Sequence, residues 1–328
     1  MVAARDQKVC FHPEAPTGCS KVGRAHTLQR EGVLSQIVDE TKHVLRANAL
    51  GRDPGAAEVT RIGWREASTF PGFCSAHDSD LFGPIEREQF AGSPQQTFFV
   101  GYRALCHEVF AKDTAADGLT KTLDVIDRGR SEETQREMQD WGRYQLIGTV
   151  LGHEDNAWYK KQADQVVKSG DYSQWGGAVF EINGSLSLAS SGSATPSFDL
   201  TGKRIQNLGD LSRRLEPVMF GMVPGPISGR NYVVFSWPPT CPSIEALIAT
   251  FTVLQPAEIG DALARFMLAH VENTFFSADW WNTLTTLQKS EVIRLSALIL
   301  PSDERTILGR PSLVEWQVVS TRVRLAGA

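Results

Sequence analysis

Long hydrophobic runs are absent from this 328-residue chain: no stretch of about eighteen uninterrupted apolar residues occurs, so we expect no membrane span. The first residues, Met1 to Asp6, lack the apolar core of a secretory signal. Without an export signal, the reducing cytoplasm is the expected location. Cysteine is scarce and odd in number, at five, which excludes complete disulfide pairing and favours thiols or metal ligands.

The chain has fewer basic than acidic side chains, 33 against 38. The formal net charge is −5, which argues against a protein that coats nucleic acid through charge alone. The distribution is uneven, because residues 1–30 carry more basic than acidic side chains, whereas residues 78–88 are mainly acidic. Two interpretations stay open: an ordinary solvated surface, or a basic rim beside an acidic metal site that binds phosphate.

Three familiar catalytic fingerprints are missing as well. The chain has no Gly-x-x-x-x-Gly-Lys-Ser/Thr phosphate loop, no convincing Gly-x-Gly-x-x-Gly dinucleotide motif and no Gly-x-Ser-x-Gly nucleophile elbow. Candidate chemistry must therefore be sought in other residue types.

What the chain does have is two short stretches near its beginning that are rich in zinc-ligating side chains. Cys10 and Cys19 lie in the first stretch, and Cys74-x-x-His77 forms the second. The short spacing in the second stretch lets both side chains point at one ion, whereas Cys10 and Cys19 need a larger loop. We interpret Cys10, Cys19, Cys74 and His77 as the ligands of one Zn²⁺. His12 is a competing ligand, and the alternative is that the cysteines are small buried hydrophobic residues.

Apolar periodicity predicts helices on both sides of a group of strands. The predicted helices are 27–45, 78–86, 98–110, 131–151, 156–169, 244–254, 256–273 and 280–300. The predicted strands are 179–182, 185–188, 218–223 and 232–237, and the segments 48–58 and 187–197 are predicted to be loops. Cys106 lies on an apolar helix face and Cys241 between prolines, so both are expected to be structural.

These elements predict an α+β protein with two parts. Residues 1–92 are expected to form a small zinc-stapled module. Residues 93–328 are expected to form a larger domain of helices and antiparallel sheet.

The order of cysteines and histidines in the first quarter of the chain resembles that of the zinc-containing, treble-clef HNH endonucleases. In that family a cysteine pair precedes a segment that ends in a catalytic histidine, and a second pair starts the helix that closes the site. Carried over, Cys10 and Cys19 match the first pair, Cys74 and His77 match the second, and His26 matches the catalytic histidine. The resemblance implies a treble-clef fold, a structural Zn²⁺ and cleavage of DNA or RNA.

This chain departs from the family pattern at three points. Its first pair is widely spaced, His77 stands where a cysteine is commoner, and no asparagine clearly occupies the central position. Asn48 and Ser68 are the alternatives for that position.

Phosphodiester hydrolysis needs a base that activates water and a hard cation that holds the phosphate. Neutral His26 is the candidate base. Asp78 matches the polar residue after the second pair, and it is the candidate ligand of a catalytic Mg²⁺ or Mn²⁺, with Glu86 as a weaker one. Arg24 and Arg30 flank His26 and suit phosphate contacts. The alternatives are a core or helix-start role for His26 and a helix N-cap role for Asp78.

Three longer motifs, at 25–27, 67–78 and 272–281, resemble segments of bacterial proteins without an assigned activity. The nuclease-like first part suggests a role in bacterial defence against phage or mobile DNA. The rival hypothesis is a non-catalytic, zinc-stabilised interaction or scaffold protein. The expected partners are nucleic acid, or a protein bound by the C-terminal domain, and not a membrane.

Overall fold

The structure of the protein is a computed structural model that describes residues 9–48, 58–210, 212–227, 229–298 and 307–327. The strands are β1 (Ala25–His26), β2 (His43–Asn48), β3 (Glu58–Gly63), β4 (Thr69–Phe70), β5 (Gly176–Asn183), β6 (Leu188–Ala194), β7 (Val218–Pro224), β8 (Arg230–Trp237), β9 (Thr274–Phe276) and β10 (Gln317–Arg324). The helices are α1 (Ser75–Leu81), α2 (Gly83–Glu86), α3 (Pro94–Leu123), α4 (Glu132–Ser169), α5 (Pro242–Thr252), α6 (Pro256–His270), α7 (Ala278–Thr283) and α8 (Thr286–Ala297).

Eight strands form one large sheet in the order β10-β5-β8-β7-β6-β9-β2-β3, and every neighbouring pair is antiparallel. The short strands β1 and β4 form a separate antiparallel pair. The predicted α+β class with an antiparallel sheet is therefore confirmed. None of the described helices combines the length and the apolarity that a bilayer crossing requires.

Helices cover both faces of the sheet, because its central strands are apolar on both sides. In β7, Phe220 faces α6, where its ring centroid lies 5.6 Å from that of Phe266. The preceding residue, Met219, faces the opposite side of the sheet and belongs to a second cluster of buried apolar residues, which includes residues of α3. Helix α3 lies close against the sheet at Gly101, where an added Cβ would come within 2.6 Å of Ser236 Cβ.

Strong caps explain why α3 and α4 are so long. Ser93 and Gln96 form a reciprocal capping box at the start of α3. Ser131 caps α4, and Gly170 ends it in the left-handed conformation at φ 73°. The predicted helices 131–151 and 156–169 are one continuous helix, and within it the side chain of Asn156 donates to the Gly152 carbonyl at 2.7 Å.

Several segments differ from their predicted structure, among them the predicted strand 185–188, which is wrong except at Leu188, where β6 begins. The predicted helix 27–45 is wrong: it holds a single 3₁₀ turn at Leu34–Gln36 and then enters β2. The segment is otherwise irregular, and its apolar side chains, such as Leu28 and Ile37, are buried in the hydrophobic core that packs on the sheet. The predicted loop 187–197 is also wrong, since it contains β6, whose small side chains are all buried.

The region predicted to be a separate zinc module, residues 1–92, contributes two strands to the main sheet. Strands β2 and β3 lie between β1 and β4 in sequence, yet they extend the large sheet at β9. Strands β9 and β10 escaped prediction, and the predicted helix 280–300 is divided into α7 and α8. The predicted loop 48–58 lies almost wholly outside the described residues. The boundary at residue 92 stays a prediction.

Candidate metal centre

The structure brings together the four side chains that the sequence suggested as metal ligands. The donor atoms of Cys10, Cys19, Cys74 and His77 all lie within 4.8 Å of one another. His77 Nδ1 is 3.5 Å from Cys10 Sγ and 3.6 Å from Cys19 Sγ. Zinc–sulfur and zinc–nitrogen bonds of about 2.3 and 2.1 Å at a tetrahedral angle give a sulfur–nitrogen separation of about 3.6 Å. The cluster therefore fits a tetrahedral metal ion such as Zn²⁺.

Local backbone structure accounts for this convergence. Cys74 is the N-cap of α1, and its Sγ accepts a hydrogen bond from the His77 N–H at 3.5 Å. The helix start thus places Cys74 and His77 on the same side of its first turn. A tight turn over 13–18 returns the chain to Cys19, whose N–H donates to the Pro16 carbonyl at 3.2 Å.

Electrostatics within the cluster favour a bound cation. Burial alone would raise the pKa of the Cys74 thiol, but hydrogen bonds from the His77 N–H and Ser20 outweigh it and hold that pKa at about 6. Desolvation, followed by the neighbouring sulfurs of Cys10 and Cys74, raises the pKa of Cys19 to about 11. Cys19 is therefore protonated near pH 7 without a metal, and a divalent ion that binds all three sulfurs as thiolates would displace that proton and offset the repulsion among them.

The other candidate ligands are not members of this group of four. His12 stacks on the His77 ring with centroids 3.9 Å apart, and its Nδ1 accepts a hydrogen bond from the Glu14 N–H. Cys106 and Cys241 are buried, at 0% and 1% exposure, and neither contributes to the group of four.

The predicted base, His26, is the last residue of β1 and pairs with Thr69 of β4. Its Nε2 contacts the guanidinium of Arg30. Burial, and then the charges of Arg30 and Arg103, lower the pKa of His26 to about 4. The imidazole is therefore neutral near pH 7, and a pKa this low also makes it a weaker proton acceptor than an ordinary histidine.

The predicted ion ligand, Asp78, lies in the first turn of α1. The N-cap alternative is wrong, because Cys74 occupies that position and accepts the capping hydrogen bond. Burial raises the pKa of Asp78, and its Oδ1 has no hydrogen-bond partner among the described residues. A neighbouring ion pair joins Glu86 to the buried guanidinium of Arg103 at 2.7 Å, and this guanidinium lies 3.9 Å above the Phe82 ring.

A cleft of about 660 Å³ opens beside His26. Its wall combines His26, Arg30 and Glu86 with the turn between β7 and β8. Asp78 and Arg24 are not among its lining residues, and Arg24 is exposed. The cleft thus gathers the predicted base with two carboxylates, Glu31 and Glu86, and two guanidiniums, Arg30 and Arg230.

The suggested substitutes for the family's central asparagine do not reach the cleft. Ser68 is 3% exposed, and its hydroxyl bonds to Thr27 and to the Leu28 N–H. The side chain of Asn48 lies outside the described residues. Asn273 instead reaches Thr27 Oγ1 at 2.8 Å from the far end of the chain.

Sequence reasoning missed the roles of Arg103 and Asn273. Arg103 interrupts the apolar helix predicted over 98–110, and a lone charge on a buried face is a detectable signal of a partner. Asn273 carries no comparable signal, because its partners are 82 and 246 residues away.

Comparisons with protein families, with curated proteins and with solved structures found no match to this chain.

Proposed function

We propose that this protein is a metal-dependent phosphodiesterase of the HNH type, with a structural Zn²⁺ held by Cys10, Cys19, Cys74 and His77. The observation that carries the proposal is the position of His26, a neutral imidazole at the wall of a cleft beside an arginine and a carboxylate. The order of elements also agrees with the family pattern: a loop with two ligands, a strand ending in histidine, and a helix that begins at the second pair.

In this proposal the zinc ion has a structural role and takes no part in the reaction. Its ligands come from the loop before β1 and from the first turn of α1, so an ion bound there fixes the two elements relative to each other. His26 lies on β1, and the partner strand β4 runs directly into the helix. Zinc would therefore position the catalytic strand without touching the substrate.

His26 would act as a general base. It takes a proton from a water molecule as the water oxygen forms a bond to phosphorus and the bond to the leaving oxygen breaks. Arg30 donates to the phosphate oxygens, for which a guanidinium fork is well suited. Its present contact with His26 Nε2 would give way to the anion, which frees the lone pair.

Asp78 and Glu86 offer the carboxylate oxygens that Mg²⁺ and Mn²⁺ prefer. Asp78 has an unpartnered Oδ1 but does not line the cleft, so Glu86 is the carboxylate of this pair that faces a phosphate bound there. Such an ion supplies stabilisation of the charge that develops on the phosphate and the leaving oxygen.

The test compares His26→Ala with His153→Ala, a matched histidine replacement on α4 that is outside the cleft lining. Zinc-loaded full-length protein is incubated with single-stranded DNA, duplex DNA and RNA in Mg²⁺ or Mn²⁺. We expect cleavage to fall by about 10²–10⁴ in His26→Ala, with unchanged zinc content and no loss in His153→Ala. Failure of the wild type to cut any of these substrates with either ion would overturn the enzymatic proposal.

The second candidate is a non-catalytic zinc-stabilised interaction protein, in which the same four ligands only hold the fold. The helix α4 favours it, because Trp141, Tyr144 and Ile147 are 57%, 68% and 57% exposed. Stoichiometric zinc together with no cleavage under the conditions above is the result that selects this candidate.

A further inference from the structure

The cleft beside His26 continues into a second cavity of about 360 Å³. The two cavities share four lining residues, which are Gln29, Glu86, Pro224 and Gly225. Both volumes fall in the range of sites for small ligands. The smaller cavity is lined by apolar side chains such as Phe90 and Val223, by the amide of Gln89 and by the carboxylates of Glu86 and Glu88. Together they form one two-part cleft between the β1 region and the β7–β8 turn.

Arg30 is the cation among the lining residues that has no ion-pair partner in the described part of the chain, and the carboxylates of Glu31 and Glu88 also line the two-part cleft. No described residue forms an ion pair with it, its Nε has no hydrogen-bond acceptor, and its remaining contact is to the neutral ring of His26. The other arginine of the lining, Arg230, is paired with Glu181. Arg30 is half-buried, so a guanidinium whose Nε is shielded from water without an acceptor carries some cost, which an anion in the cleft would reduce.

The shape of the cleft favours one unpaired residue of a strand over a duplex. In a duplex the bases are stacked and paired, so only the backbone could approach a recess of this size. Duplex binding also relies on many phosphate contacts, which the net charge of −5 and a single unpaired arginine do not provide. An unpaired nucleotide can instead place its base in the smaller cavity, beside side-chain amides and apolar groups.

We propose that the cleft binds an unpaired nucleotide of single-stranded nucleic acid, with its phosphate on Arg30 and its base in the cavity beside Phe90. The inference rests on the proposed phosphodiesterase function, for which it names the substrate class. Both DNA and RNA single strands carry the required phosphate and base, and separate probes distinguish them.

The test measures binding alone, so that it does not depend on cleavage. Fluorescence anisotropy is recorded with zinc-loaded full-length protein and no added Mg²⁺ or Mn²⁺. The probes are a labelled twelve-nucleotide DNA strand, the RNA strand of the same sequence, and the corresponding DNA duplex. We expect at least one single strand to bind about tenfold more tightly than the duplex.

Variants then locate the binding site. Arg30→Ala should weaken single-strand binding at least tenfold. Arg30→Lys should weaken binding less, because lysine keeps the positive charge but lacks the paired N–H donors of the guanidinium. Arg143→Ala removes the same charge from an exposed position on α4 and should change binding less than twofold. Ile227→Glu adds a negative charge at the cleft wall, where Ile227 is 62% exposed, and should also weaken binding.

Three results would overturn the inference: equal or tighter binding of the duplex, undiminished binding by folded Arg30→Ala and Ile227→Glu, or no binding of either single strand. Failure of the two proposals can be told apart. Arg30-dependent binding of a single strand that is never cut would end the phosphodiesterase proposal and leave the binding site. Preferential binding and cleavage of the duplex would leave the phosphodiesterase and end this inference.

Discussion

Asn273 joins the β1–β4 pair to the main sheet, and its removal gives a quantitative test of that connection. Its side-chain amide donates to Thr27 Oγ1 at 2.8 Å and to the Ser191 carbonyl at 2.7 Å, with a longer contact of 3.4 Å to Ser68 Oγ. Thr27 directly follows the proposed base His26. The amide therefore connects the strand that carries the site to β6.

The expected cost of Asn273→Ala follows from what is left behind. The Ser191 carbonyl loses its side-chain donor, and a buried group left unsatisfied costs about 1–3 kcal/mol. Thr27 loses a donor as well, but its hydroxyl keeps a hydrogen bond with Ser68, so its share is smaller. We expect the free energy of unfolding to fall by about 2–3 kcal/mol.

Urea denaturation followed by tryptophan fluorescence measures this loss. The control is Asn183→Ala, which replaces an exposed asparagine of β5 and should change the free energy of unfolding by less than about 0.5 kcal/mol. Thr27→Val combined with Asn273→Ala should show a coupling of about 0.5–3 kcal/mol, as expected for residues in contact. A loss in Asn273→Ala no larger than in the control, or strictly additive effects in the pair, would refute this reasoning.

Three further predictions concern the metal centre, acid stability and the core. Metal analysis should find about one zinc per wild-type chain, much less in Cys74→Ser and an unchanged amount in Cys241→Ser; equal zinc in all three would contradict the ligand assignment. Burial lowers the pKa of His107 to about 4, so its contribution to stability is full above about pH 6.5 and is lost as the pH falls through 4. Because part of this side chain is accessible, we expect about 1–2 kcal/mol less unfolding free energy at pH 5 than at pH 7, and a smaller difference in His107→Gln. Arg265 is fully buried and bonded to Asp261 and Glu291, so Arg265→Met should cost about 3–5 kcal/mol in urea denaturation, and a loss below 1 kcal/mol would contradict the pairing.

The sequence alone predicted the elements whose signals are local. The cap at Ser131 marks the start of α4, whereas the apolar face of α3 predicted only its residues 98–110 and missed both of its ends. Strands β5, β7 and β8 are apolar runs bounded by turn residues, so their signals are visible within a few positions. The Cys74-x-x-His77 spacing is equally local, because one helix turn sets the geometry of both ligands.

What escaped prediction depends on distant parts of the chain. Strand β6 is rich in serine and glycine, a composition that is typical of a loop. These small residues are buried because neighbouring side chains pack closely over them. At Gly192, for example, an added Cβ would lie 2.6 Å from Val271 Cγ1. Strand β9 has three residues, too few for a periodic pattern, and its register is set by β6 and β2. The cleft is formed by residues near 30, 86 and 225, and no local pattern brings these together.

The insertion of β2 and β3 between the two strands that flank the candidate metal site has a practical consequence. Leu45 of β2 pairs with Phe276 of β9, and both side chains are almost completely buried. A polypeptide cut at residue 92 would keep Leu45 but lose its covering strand, leaving an apolar edge open to self-association. We therefore expect that the zinc-ligand region will not fold as an independent unit when residues 1–92 are produced alone.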